Sequence, residues 1–221
     1  MGFSSGWDST YRTGQHMSEW PWSDLVSLVH RHAKPDNGYR RVLELGCGAG
    51  ANIPFLQSLG MDYCAVEGSS FIVARLRARF PEIAANIVVG DFTQKIPFTS
   101  RFDLVIDRAS VTHNTTTGIR RALALVADVL RSGGKLIGLD WFAADHSAAK
   151  LGTPLDSHTR TGLSGTFTGI GAVHFSDRQH LLALMQDAGL SIEHLAHKEI
   201  KTEIPADGER MCSWNFVASK A

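Results

Sequence analysis

The sequence predicts an α/β fold: a mostly parallel β-sheet with helices on both faces, preceded by a helical N-terminal extension. Three observations lead there. Short apolar runs alternate with helical patterns at the spacing of βαβ units. A glycine-rich turn joins the first run to the helix after it. The 221 residues are 43% hydrophobic and 20% charged, which suits one domain with a real core and excludes wholesale disorder.

In chain order, residues 1–40 read as an N-terminal cap. Ser23 is expected to cap a helix carrying Leu25, Val26, Leu28 and Val29, which Pro35-Asp36-Asn37-Gly38 breaks. Arg41 to Leu45 is the first strand, and it runs into Gly46-Cys47-Gly48-Ala49-Gly50. A helix follows from Ala51 to about Ser58, with Pro54 in its first turn, where a missing N–H costs little. Asp62 to Val66 is the second strand. Ser69 or Ser70 caps a helix to Phe80, stopped by Pro81. Ile87–Val89 and Phe102–Ile106 are the third and fourth strands. Ile119 to Leu130 is helical, Gly133-Gly134 is expected to end it, and Lys135 to Leu139 is the fifth strand.

The rhythm then fails from Phe142 to Phe175, a segment rich in Gly, Thr, His and Ser. A loop that long in a small domain is functional or mobile, and it reads as an insertion, 142–175. Ser176 and Gln179 form a capping box for a helix to about Ala188. Strands near Ile192–Ala196 and Trp214–Ala218 bring the count to seven. With no repeat or linker, 1–221 is expected to be a single domain.

Charge and cysteines narrow the function. Lys plus Arg is 22 and Asp plus Glu is 22, so nothing grips a phosphate backbone and nucleic acid is not the expected partner. No apolar run approaches a membrane span, and Met1 to Gly6 fits neither a signal peptide nor a myristoylation pattern. Cys47, Cys64 and Cys212 are too scattered for a disulfide framework, and no pair has metal-ligand spacing. A soluble, cytoplasmic protein is expected, monomeric or homodimeric, without a metal.

The turn Gly46-x-Gly48-x-Gly50 lets main-chain N–H groups approach a ligand, but Gly46, Gly48 and Ala51 also satisfy a dinucleotide fingerprint. Glu67 ends the second strand, where a carboxylate can accept both hydroxyls of a ribose; NAD and S-adenosylmethionine sites share that device. Asp91 after the third strand suits an adenine amine, and Phe92 the face of the base, with a helix cap or turn residue and a core filler as the alternatives. Glu44, within the first strand, is costly to bury unless something answers it. A sulfonium ligand with its ammonium group does so, and a pyrophosphate repels it.

With these residues in order, the chain resembles the class I S-adenosylmethionine-dependent methyltransferases. Val42 to Gly50 is similar to the family's first motif. Glu67, Gly90-Asp91-Phe92, Phe102 to Asp107, and Leu130 to Leu136 resemble later ones. Trp7-Asp8-x-x-Tyr11 and Asp107-Arg108-Ala109 are similar to the thiopurine and tellurite-resistance methyltransferase branch; the sequence departs from it after Leu139. The resemblance implies a Rossmann-like, seven-stranded sheet, S-adenosylmethionine as cofactor, and an N-terminal aromatic segment folded over the cofactor's methionyl end. It implies in-line transfer of a methyl group to a small molecule, with the cofactor held by Trp7, Tyr11, Glu44, Gly46, Cys47, Gly48, Glu67, Gly68, Ser69, Asp91, Phe92 and Asp107.

His113 lies just beyond the fourth strand and is the candidate general base, with a backbone-bonded loop histidine as the alternative. Arg108 is a candidate for an anionic acceptor, or a partner of Asp107. Asp145, His146, Asp156, His158, Arg160 and His174 crowd the insertion; His146 and His174 are taken toward the acceptor, while His158 reads as solvated. Asp107 and Asp140 end neighbouring strands without a third oxygen ligand for magnesium. Asn114-Thr115-Thr116 is read as a helix cap rather than a glycosylation site, and Trp20-Pro21-Trp22 as a pocket cover or a subunit contact. The ionisable residues point to a polar acceptor. An NAD-dependent oxidoreductase and a non-catalytic adenosyl-ligand-binding protein are the alternatives.

Overall fold

Strands β1 (Arg41–Leu45), β2 (Asp62–Glu67), β3 (Ile87–Val89), β4 (Phe102–Arg108) and β5 (Leu130–Phe142) lie parallel, and β9 (Leu190–Glu203) and β10 (Ala206–Lys220) complete a seven-stranded sheet. Its order is β3-β2-β1-β4-β5-β10-β9, with β10 antiparallel to both neighbours. This computed structural model describes residues 6–221; the first five, read above for a leader, lie outside the described residues. No helix among the described residues is long and apolar enough to cross a membrane.

The period-two pattern puts apolar residues on both faces of the central strands, because both faces are covered. Val42, Tyr63, Ala65, Leu104, Ile106 and Ile137 pack with α2 (Ser23–His32), α3 (Ile53–Ser58) and α4 (Ser70–Arg79). Leu43, Leu45, Cys64, Val66, Val105 and Leu136 pack with α5 (Thr116–Val129) and α6 (Arg178–Asp187). Ile119, Ala122, Leu123 and Val126, at helical spacing, form the buried stripe of α5. The N-terminal α1 (Gly6–Arg12) docks on the start of α4, where Asp8 accepts from Ser69 Oγ at 2.6 Å.

Several boundaries differ from the sequence reading. Trp22, not Ser23, sits at the cap of α2, without a side-chain bond, and Asp177 rather than Ser176 caps α6 by accepting from His180 N–H. Ser69 caps α4 as expected, and Thr115 caps α5. The pair Gly133-Gly134 ends nothing. The helix stops at Val129 because Leu130 is already extended and pairs with Phe102, so the glycines lie inside β5.

The segment 142–175 is more ordered than its composition suggests. Short strands β6 (Thr153–Pro154), β7 (Thr159–Thr161) and β8 (Val173–His174) form a small antiparallel sheet. Leu163, Phe167, Ile170, Val173 and Phe175 give it a core of its own, against which Phe142 and Trp7 pack.

Candidate active site

The strand order reverses direction between β1 and β4, and a crevice opens there at the carboxyl ends of the strands, the usual ligand position in such sheets. Ser110 ties the two strand ends together, its hydroxyl donating to the Leu45 carbonyl at 2.9 Å. Gly46 has a φ of +61°, and a Cβ on it would lie 2.0 Å from that hydroxyl oxygen. A Cβ on Gly48, φ +50°, would lie 3.1 Å from the Tyr11 hydroxyl. Glycine is therefore required both for the backbone angle and for the approach of α1.

A cavity of about 530 Å³ fills the crevice. Trp7, Tyr11, Glu44, Gly46, Cys47, Gly48, Glu67, Gly68, Asp91, Phe92, Arg108, His113 and His146 all line it. Three expected residues do not. Ser69 is spent on capping α4 and holding Asp8. Asp107 is fully buried, accepting from Ser110 N–H, Val111 N–H and, at 2.6 Å, Trp141 Nε1–H. Burial pushes its carboxyl up to about 7 despite those bonds. His174 is also fully buried, bonded to Thr159 Oγ1 at 2.9 Å and near His158 and His180.

Glu67 ends β2 at the floor of the cavity. One carboxylate oxygen accepts from Gly48 N–H at 3.0 Å and the other from Ser69 N–H at 2.8 Å. Burial raises its pKa above the usual carboxylate range while these backbone bonds lower it. The loop amides are committed within the protein: Gly46 N–H goes to Val66 O, Gly48 N–H to Glu67 and Gly50 N–H to Cys47 O. A pyrophosphate-binding loop keeps such amides for its ligand. Asp91, across the crevice, accepts from the backbone and hydroxyl of Thr93 at 2.8 and 2.7 Å.

Glu44 needs no ligand to answer it. Asn52 Nδ2 donates to one oxygen at 2.7 Å and the Tyr63 hydroxyl to the other at 2.6 Å. The answer expected for this carboxylate comes from hydrogen-bonding partners at α3's entry and in β2, and not from a sulfonium ligand. Asn52 Oδ1, on the cavity wall, is buried without a partner among the described residues.

The other end of the cavity has two walls. On one, His113 stacks edge-on against Trp7, with ring centroids 4.9 Å apart, and lies 5.8 Å from the Phe142 ring. Its Nδ1 lies 3.2 Å from the Ala172 carbonyl, which can only accept, so the proton sits on Nδ1 and Nε2 keeps its lone pair. Burial pushes its pKa down to about 4. His146 Nδ1 accepts from Ala148 N–H at 3.0 Å, and Phe167 and Ile170 complete an aromatic and aliphatic wall.

A second wall, of Arg108, Asp140 and Lys198, is ionic. Arg108 binds Asp140 at 2.9 Å rather than Asp107, with its guanidinium 3.4 Å from the centre of the Trp22 ring. Lys198 Nζ reaches Asp140 at 3.2 Å and Asp24 at 2.9 Å. Sequence reasoning missed Lys198, Trp22 as the stacking partner, and Ser110. The first two depend on contacts between distant segments, and Ser110 carried no motif. Ala109 (φ 54°), just past β4, and Asp140 (φ 52°), within the last residues of β5, hold left-handed angles that non-glycine residues avoid, the kind of local strain that clusters at functional sites.

The family described as methyltransferase domain matches residues 42–134. Solved structures share the fold. A SAM-dependent methyltransferase from Methanosarcina mazei is 18% identical, with 91% of this chain and 98% of that one covered and a TM-score of 0.70. The 1,6-didemethyltoxoflavin-N1-methyltransferase from Burkholderia thailandensis, solved with 1,6-didemethyltoxoflavin and S-adenosylhomocysteine, is 16% identical over 98% of this chain and 86% of that one, TM-score 0.69. TehB from Haemophilus influenzae is 15% identical over 97% and 67%, TM-score 0.64. None of the curated proteins matches. The matched segment holds β1 to β4, the glycine turn and the start of β5, which build the crevice, and the solved structures share the Rossmann-like fold of the whole chain. The residues present fit an adenosyl cofactor such as S-adenosylmethionine, in a glycine cradle that a Cβ would fill, beside a buried Asn52 oxygen that no described residue answers and two carboxylates spaced along one crevice.

Proposed function

We propose that the chain transfers the methyl group of S-adenosylmethionine to a polar small molecule that also carries an aromatic or apolar body. The observation that carries this reading is the convergence of Glu67, Asp91 and the glycine cradle on one cavity whose far end is aromatic on one wall and ionic on the other. When bound, S-adenosylmethionine supplies an electrophilic methyl group on a positively charged sulfur, so the protein's task is alignment and exclusion of water.

In this reading Glu67 accepts the ribose hydroxyls, Asp91 the adenine amine, and Phe92 packs on the base. Trp7 and Tyr11 cover the methionyl end, and this placement of α1 supports the thiopurine and tellurite-resistance branch as the nearest one. His113 Nε2, unprotonated near neutral pH, accepts a hydrogen bond or a proton from the acceptor, while its Nδ1–H on Ala172 fixes the ring. The aromatic wall holds the acceptor's flat or apolar part, and the Arg108 and Lys198 wall its polar part. The reading takes the small molecule as the partner, with no nucleic acid or membrane, in a monomer or homodimer of the cytoplasm.

The test begins with S-adenosylhomocysteine, which is expected to raise the melting temperature, whereas NADH is not. No shift at millimolar ligand overturns the cofactor assignment. Aromatic acids, phenols and nitrogen heterocycles are then screened by a coupled assay for released S-adenosylhomocysteine. With an acceptor in hand, His113→Gln is expected to lower kcat at least tenfold with an unchanged KM for the cofactor. An unchanged kcat removes His113 from the chemistry.

A further inference from the structure

Asp145, His197 and Cys212 are far apart in sequence, yet one ligand-type atom of each lies within 4.8 Å of the other two. The fold builds the cluster from rigid parts. His197 in β9 faces Trp214 and Cys212 in β10 faces Glu199, so the two are diagonal neighbours on one side of an antiparallel ladder. Asp145 follows β5, on a turn pinned by Ala143 N–H donating to the Cys212 carbonyl at 2.9 Å and Ala144 N–H to Ser176 O at 3.0 Å. Its Oδ1 lies 3.1 Å from His197 Nε2.

We propose that Asp145, His197 and Cys212 form a three-ligand site for a zinc-class divalent cation, with the fourth position open. The donors are one sulfur, one nitrogen and one oxygen, a set that suits zinc and its close neighbours rather than magnesium or calcium, which take oxygen alone. Ligands around a tetrahedral zinc sit roughly 3 to 4 Å apart, given metal–ligand distances of about 2.0–2.3 Å, and the cluster is already near that size. A thiolate and a carboxylate supply two negative charges, which a divalent ion neutralises; the thiol proton leaves as the ion binds.

The surroundings are consistent with this. Arg210 is held by Glu199 through two contacts of 2.9 and 3.1 Å, and approaches only Oδ2 of Asp145, at 3.6 Å. That leaves Oδ1, beside His197, to face the ion, with Arg210 orienting the carboxylate from behind. A second cavity, of about 300 Å³, opens beside Asp145 and His197 and gives room for a water as fourth ligand. Cys212 also lines the main cavity, so the site stands in the wall at its acceptor end.

Cobalt(II) tests the site without any assay of activity. The full chain, titrated with cobalt, is expected to develop a thiolate-to-cobalt charge-transfer band and the visible bands of four-coordinate cobalt, saturating at one equivalent and displaced by zinc. Cys212→Ser removes the charge-transfer band, Cys64→Ser keeps it, and His197→Ala weakens apparent affinity at least tenfold. Asp145→Asn, at an exposed position, is expected to weaken affinity similarly and keeps the test open if Cys212→Ser disturbs the strand. No charge-transfer band in the wild type, a band surviving Cys212→Ser, or unchanged affinity in both His197→Ala and Asp145→Asn overturns the proposal. None of these outcomes depends on the methyl-transfer reading.

Discussion

Glu44 is a carboxyl group placed where water cannot reach it. Burial raises its pKa to about 7, more than the bonds from Tyr63 and Asn52 lower it, and the nearby Asp107 adds to the rise. In the unfolded chain the same group titrates near 4.5. Between those values the folded protein holds more protons than the unfolded one, so the contribution to stability is complete below about pH 4.5 and is lost as pH rises through about 7. A difference of that size is worth on the order of 3 kcal/mol. Glu44→Gln keeps a neutral group that can accept from Asn52 and donate to the Tyr63 oxygen. Its melting temperature relative to wild type is therefore expected to rise between pH 5 and pH 8, by roughly 5 °C or more. Differential scanning fluorimetry across that range checks it, and a constant difference shows that Glu44 does not titrate there.

The turn between β1 and α3 is where sequence and structure agree best, because its requirement is steric. Gly46→Ala puts a methyl group into the Ser110 side chain and forces a non-glycine residue to φ +61°, and the backbone penalty alone is roughly 1–2 kcal/mol. Since Ser110 joins the ends of β1 and β4, the damage falls on the crevice itself. We expect Gly46→Ala to weaken S-adenosylhomocysteine binding at least tenfold by calorimetry and to lower the melting temperature; unchanged affinity shows that the turn tolerates a side chain. Strands β1, β2 and β4 were legible for a similar reason: largely buried on both faces, they read as short apolar runs. Strands β6 to β8, of two or three residues, carry too few positions to show a period. The outer halves of β9 and β10 are exposed, so no apolar alternation marks them. At the site, Glu67, Asp91 and Phe92 were legible because each lies at a strand end or just past one. Lys198 meets Asp24 across 174 positions of sequence, a contact no local pattern encodes. Asp107 was misread because its place at a strand end looked like a site, while its carboxylate turns inward to Trp141 and two backbone amides.

Among the described residues three apolar clusters hold the molecule together, two on the faces of the large sheet and one inside 142–175. Trp7 packs against both the α1–α4 side of the sheet and the core of 142–175, with its ring beside Tyr11 and His113. The N-terminal helix and the insertion therefore meet above the cavity through one side chain, anchored at its base by Asp8 on Ser69. A cover held through this contact can part while the sheet beneath keeps its hydrogen bonds. Local opening of this kind costs less than global unfolding and shows in amide exchange. Trp7→Ala is expected to speed exchange in residues 6–12 and 142–175 together, by tenfold or more, and to leave β1, β4 and β5 unchanged. Saturating S-adenosylhomocysteine should slow exchange in both segments of the wild type and do less in the variant, with the lost affinity seen mainly as faster dissociation. If exchange rises in 6–12 alone, the insertion stands without Trp7 and the two halves of the cover move independently; if it rises throughout the sheet, Trp7 belongs to the core and not to a lid.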